Sequence, residues 1–213
     1  MYQPSYHAAP GPEAMLDLVS AAALATMVTV VDGSAVIDHL PFVLDRQRGP
    51  LGTLEAHVAR ANPVWQHLQA GAPVTVVFQG PAHYLSPAWY PTKQTTGRVV
   101  PTWNYVAVHA RGTARLVREP EQLLPLLERL IAASERPLHG SDHWTAADAP
   151  AGYLAPMLKA IVGFEIEITD LDGRWKLAQD EALQDRHGAV SGLQTLGGPH
   201  AQAMSELIQS TLP

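Results

Sequence analysis

Apolar side chains along this chain change their spacing several times, and each change marks an expected element. Met15, Leu16, Leu18 and Val19 follow Pro12-Glu13 at helical spacing, with proline in the first turn and an acid near its positive end, which predicts a short helix. Leu24 to Val31 is rich in Val and Thr, Asp32-Gly33-Ser34 is a turn, and Ala35 to Leu44 is its partner strand, so the pair reads as a hairpin. A turn at Arg46 to Pro50 leads to a strand from Leu51 to His57. Asn62-Pro63 then opens a helix running to about Ala70, where Gly71 stops it.

Val74 to Gln79 has the continuous apolar character of a buried strand, with Gly80-Pro81 expected to break it. Between Val99 and Arg118 the β-favouring residues return, as one long bent strand or two short ones around Gly112. Leu123, Leu124, Leu127, Leu130 and Ile131 give the clearest helical stripe, over Glu121 to Ser134, and its reading is core packing. Glu135 to Pro156 reads as loop, Ile161 to Thr169 as a strand, Asp172-Gly173 as a turn and Trp175 to Gln179 as its partner, with a last helix over His200 to Leu212. Short strands with few helices between them predict an antiparallel barrel of the α+β kind, mainly β, in a single domain over residues 1–213.

Composition narrows this picture. Charged residues are only 16% of the 213, against roughly 25% in an average domain, so part of the surface is expected to be covered by a second copy of the chain. The absence of cysteine removes disulfides, thiol nucleophiles and Cys-ligated zinc, and it suits a reducing compartment. Met1-Tyr2-Gln3-Pro4 lacks the basic segment of a signal peptide, and Ala21 to Val31 is too short to cross a bilayer, so a cytoplasmic protein with no membrane association is expected. The formal net charge of −6 opposes DNA binding, which depends on neutralising phosphates. Arg111, Arg115 and Arg118 come nearest to a basic patch, and on a strand only the first two share a face.

Two blocks carry candidate chemistry. In the first, His57-Val58-Ala59-Arg60-Ala61-Asn62-Pro63, a histidine ends a strand and an arginine precedes a helix capped by Asn62. Free N–H groups, the positive helix pole and a guanidinium together suit a phosphate, although a capped helix with a solvent-facing arginine describes the same residues. The second block, YLSPAWYPTKQTTGRVVPTWNY from Tyr84 to Tyr105, combines stiff prolines and broad aromatic rings with polar donors, a mixture that suits a planar ligand such as a flavin or haem, or a rigid loop with core tryptophans. Lys93 or His109 would stabilise negative charge on a reduced ring. His139 and His143, four apart in a poor helix context, read as loop histidines, and no metal set or catalytic acid–base pair is identified.

The stretches HVARANPVW, FQGPAHYLSPAWYPTK and VVPTWNYVAVHARG resemble the PaiB family of FMN-binding negative transcriptional regulators. The likeness reaches back to Met1-Tyr2-Gln3-Pro4 and His39-Leu40-Pro41 and forward through Trp144 to Pro150 and Ala160 to Lys176, nearly the whole chain. It implies an antiparallel split β-barrel of the FMN-binding type with peripheral helices, and a homodimer with FMN at the subunit interface. It also makes the strand carrying His39 and the turn with His57, Arg60 and Asn62 the segments that hold the flavin ring edge and phosphate, and it puts Trp103 and Asn104 in a motif the family shares, from which contact with FMN is inferred. Where the family is expected to read Lys-Leu-Ser-Gln-Asn, this chain has Lys176-Leu177-Ala178-Gln179-Asp180. The resemblance implies a regulator sensing redox or metabolite state through flavin. The barrel's relatives add a flavin-dependent oxidoreductase or a haem-degrading enzyme as the alternative, and a barrel kept only as an interaction module is a third.

Overall fold

Asp32 and Gly33 both take positive φ, 48° and 76°, in a computed structural model that describes all residues from Met1 to Pro213. That backbone suits a two-residue hairpin turn, and it folds strand β1 (Leu24–Val31) onto β2 (Ser34–Pro41), with Val31 opposite Ser34 and Leu24 opposite Pro41. The second strand does not run on to Leu44 as expected. Phe42 leaves it, donates its N–H to the Ala23 carbonyl at 2.7 Å, and turns its ring into the core, edge-on to Phe78 and Phe164 at 6.0 and 6.2 Å. The next residues form a separate strand, β3 (Val43–Asp45), which pairs antiparallel with β4 (Thr53–Ala59).

Helix α2 (Val64–Gln69) follows, then β5 (Val74–Leu85), helix α3 (Pro91–Thr95) and one unbroken strand, β6 (Thr102–Val117). Helices α4 (Pro120–His139) and α5 (Leu154–Lys159), strand β7 (Ile161–Lys176) and helices α6 (Leu183–Leu196) and α7 (Pro199–Gln209) complete the chain after an N-terminal helix α1 (Pro12–Ala21). The seven strands lie in the order β2-β1-β5-β6-β7-β4-β3, so the two halves of the expected second strand end on opposite edges of one open sheet. This is the α+β split-barrel class, antiparallel in its β1–β2, β1–β5, β3–β4 and β4–β7 pairs.

Two expected breaks are close approaches instead. A Cβ at Gly80 would lie 2.6 Å from side-chain atoms of Leu18 and Val106, and one at Gly173 would lie 2.6 Å from Met15 Sδ. Glycine therefore lets β5 and β7 pass beneath neighbouring side chains without turning. Helix α6 escapes the apolar pattern because Gly188 and Gly192 interrupt it, and both glycines face Trp89. The segment expected to be loop holds the end of α4 and the start of the short α5.

The chain divides into two compact units, Met1–Leu18 with Gln79–Val108 and Asp172–Pro213, and Val19–Phe78 with His109–Leu171. In the second unit Met27, Leu54, Val76, Phe78, Phe164 and Ile166 are fully buried, and Val117, Leu123, Leu126 and Leu130 pack with Val43, Leu158 and Ile161. In the first, Leu85, Tyr90, Val108, Leu177, Met204 and Ile208 form the interior. No helix is long and apolar enough to cross a membrane.

Candidate functional site

Strand β4 holds His57 opposite Gly163 of β7. The imidazole is half-buried, its Nδ1 is enclosed without a hydrogen-bond partner, and burial lowers its pKa, which favours the neutral ring. Just beyond the strand, the Arg60 N–H donates to the Ala160 carbonyl at 2.7 Å, and the side chain reaches the same junction. Its Nε donates to the Lys159 carbonyl at 2.7 Å and Nη2 to the Ile161 carbonyl at 2.9 Å. Arg60 is exposed, and Nη1 takes no part in these bonds.

Helix α2 starts with Pro63 at its N-cap and no side-chain cap bond, so Asn62 does not cap it as expected; its side-chain oxygen instead closes a turn ahead of the helix by accepting the Val64 N–H at 2.9 Å, while its amide donates to Asp38 Oδ1 at 2.6 Å. Asp38 was not expected here. It lies in β2 and ties that edge strand to the α2 turn. Neighbouring residues of a strand face opposite ways, so His39 faces away from this contact and is exposed, with Nδ1 3.1 Å from Thr26 Oγ1 across the hairpin. The structure thus joins Asn62 to Asp38, turns the Arg60 side chain to the α5–β7 junction, and sets His39 on the outer face of the β1–β2 hairpin. Helix α2 is only six residues long, which makes its dipole a weak attractor and leaves the guanidinium as the main positive group.

The other expected residues lie in the first unit. Lys93 is exposed on α3. Trp103 is 59% exposed and meets the Tyr84 ring edge-on at 6.1 Å, so part of the aromatic block faces solvent. Asn104 is the reverse: it is fully buried, and neither end of its amide has a partner. Beside it in sequence, Thr102 Oγ1 accepts from Lys176 Nζ, and the Arg174 guanidinium lies 5.5 Å from the Tyr105 ring and 5.6 Å from Tyr2. The departure from the family pattern sits in a built turn. Ala178 takes φ 61°, and Gln179 braces it by accepting the Leu177 N–H and donating to the Trp175 carbonyl. Asp180 lies 3.4 Å from the Nε2 of His7, whose pKa is lowered mainly by burial. Of the two loop histidines, His139 ends α4, and the ring of His143 contacts the Gly140 carbonyl at 3.0 Å.

Residues 1–170 match the family model described as "Putative FMN-binding domain". The chain belongs to this FMN-binding family. FMN is the cofactor that membership gives it. Within the family, the chain is 31% identical over 215 residues to the protease synthase and sporulation protein PAI 2 of Bacillus subtilis, covering all of this chain and 98% of that one. A protein of Emericella nidulans is 34% identical over 200 residues, covering 80% of each chain. Among solved structures, a flavocytochrome from Azotobacter vinelandii superposes with a TM-score of 0.62 at 12% identity, covering 82% of this chain and 72% of that one. An FAD- and haem-binding protein from Mycobacterium smegmatis superposes at 0.52 with 18% identity, over 79% and 72% of the two chains. These two likenesses establish the fold.

The donors in the second unit suit this family's cofactor. A buried imidazole nitrogen without a partner matches the hydrogen-bonding edge of a flavin ring, and a guanidinium with an uncommitted nitrogen matches a phosphate.

Proposed function

We propose that this chain is a homodimeric, cytoplasmic FMN-binding regulator, with Arg60 on the FMN phosphate and His57 on the ring edge. The observation that carries this reading is the unpartnered Nδ1 of His57, three residues before a guanidinium that keeps one nitrogen free, in a chain of an FMN-binding family. Asn62 positions the turn by holding Asp38 and the Val64 N–H. His39 is proposed for the same unit's flavin contacts; in the first unit, taken by itself, Lys93, Trp103 and Asn104 are the proposed flavin-facing residues, Trp103 offering a flat face and Lys93 a positive charge. Asn104 supplies a buried amide whose donor and acceptor both lack partners. When bound, FMN supplies reversible electron transfer, which is what a redox sensor requires.

Homodimer formation is supported by the outer face of the β1–β2 hairpin, where Leu24, Val30 and Ile37 are 71%, 53% and 59% exposed. A row of this kind on an edge hairpin is expected to be covered. A regulatory role is supported by the Bacillus relative's description as a sporulation protein. Control through a protein partner fits better than direct DNA contact, because Arg111 and Arg115 are already paired with Asp170 and Glu165. The lack of cysteine fits the cytoplasm.

The exposed Trp103–Tyr84 pair favours one second reading, a flavin-dependent oxidoreductase in which this surface receives an aromatic co-substrate. The FMN-loaded protein mixed anaerobically with NADH or NADPH separates the two: no bleaching of flavin absorbance by either supports the regulator, and rapid bleaching supports the enzyme. Sedimentation tests the dimer. Wild type should run as a dimer and Ile37→Asp as a monomer; a monomeric wild type contradicts the assembly.

A further inference from the structure

The second unit contains a cleft of about 1200 Å³ with no part in the site described above. It is lined by β3 and the turn after it, by Glu55 of β4, by α4 from Pro125 to Pro137, and by His143-Trp144-Thr145. None of His57, Arg60 and Asn62 lines the cleft. Glu55 and His57 are two residues apart in β4 and share a face of the strand, so the cleft adjoins the proposed FMN site without including its residues.

Its chemistry is set by a buried carboxylate that is already satisfied. Glu55 is fully buried, and Arg129 donates Nε to Oε2 at 2.6 Å and Nη2 to Oε1 at 2.7 Å, while Arg48 Nη1 reaches Oε1 at 2.9 Å. Glu55 thus holds the Arg129 guanidinium in the cleft without remaining a free negative charge. Arg136, one of the lining residues, makes no ion pair or side-chain hydrogen bond of its own. Trp144, also in the lining, is 43% exposed, and Ile131 and Ala132 add apolar surface. Glu128 and Asp45 also line the cleft, which disfavours ligands carrying several negative charges.

We propose that this cleft binds a small planar aromatic monocarboxylate, its ring against Trp144 and its carboxylate on Arg136 and the remaining N–H groups of Arg129. Arginine suits a carboxylate because its planar fork offers two parallel donors, and indole faces suit flat rings. A cleft combining apolar walls with a few convergent polar groups is the usual form of a small-molecule site.

The test uses the full-length FMN-loaded protein and naphthalene-2-carboxylate, with naphthalene-2-carboxamide as the uncharged control, followed by calorimetry and tryptophan fluorescence. The carboxylate should bind once per chain without displacing FMN, and the carboxamide at least tenfold more weakly. Arg136→Gln and Trp144→Ala should each weaken binding about tenfold or more, with FMN affinity unchanged; both residues are on the surface, and circular dichroism verifies their folding. No saturation at millimolar carboxylate would overturn the proposal. So would equal binding of the carboxamide, competition with FMN, or wild-type affinity in both variants.

Discussion

Removing Arg48 should show how much the second unit depends on its ion network. The side chain donates three charged hydrogen bonds, to Glu55 Oε1 at 2.9 Å and to the two oxygens of Glu165 at 2.8 Å each. After Arg48→Ala, Glu55 keeps Arg129, but Glu165, whose side chain is 10% exposed, keeps only Arg115, which is itself 63% exposed. Stripping one partner from a fully buried pair costs about 3–5 kcal/mol. Arg48 is 40% exposed, so water replaces part of what is lost, and about 2–3 kcal/mol is expected. At roughly 2–4 °C per kcal/mol for a chain of this size, the thermal midpoint should fall by about 5–10 °C.

The pH dependence has a definite sign. Hydrogen bonding to Arg48 is the largest influence on Glu165 and holds its carboxyl below the usual carboxylate range. A carboxylate so depressed contributes stability that is present above its unfolded pKa and is lost as pH falls through the folded value. Wild type should therefore lose more stability than the variant between neutral pH and the acid range. Scanning calorimetry at neutral pH and near pH 3 checks both statements. A midpoint shift below 1 °C at neutral pH, or parallel acid profiles, would refute the reasoning and leave the network a screened surface cluster.

Other substitutions test other parts of the account. Arg60→Ala should weaken FMN binding by about 10- to 150-fold, the equivalent of one hydrogen bond to a charged group, and leave riboflavin affinity unchanged; a titration with both ligands decides. Gly188→Val should destabilise the first unit by about 1–3 kcal/mol or more, because a Cβ there meets the Trp89 carbonyl oxygen, and a wild-type melting curve would contradict that packing. Ala178→Gly should raise stability slightly, by up to about 1 kcal/mol, since glycine accepts the positive φ without strain; denaturant unfolding measures it.

The parts of the fold that were legible in the sequence are those governed by local rules. The Asp32-Gly33 turn and the stripe of α4 follow from turn chemistry and periodicity. The misread places depend on partners distant in sequence. Phe42 leaves β2 because its ring belongs with Phe78 and Phe164, and Gly80 and Gly173 serve packing against Leu18, Val106 and Met15. Helix α6 was missed because glycines that fit it to Trp89 erase its apolar stripe. For the site, resemblance named the turn that carries His57, Arg60 and Asn62. The Asp38 contact and the carbonyls that hold Arg60 are long-range pairings with no local signal. Glu55 and Glu165 were hidden in the same way, since nothing in the sequence matches them to Arg48, Arg115 and Arg129.

The most direct test of the central claim is a titration of the purified full-length protein with FMN, followed by flavin fluorescence and by visible absorption after removal of free cofactor. The account predicts saturation at micromolar FMN with one FMN per chain, and riboflavin binding at least tenfold more weakly. Absence of binding at micromolar FMN would contradict a flavin function, and equal affinity for FMN and riboflavin would contradict the phosphate role of Arg60.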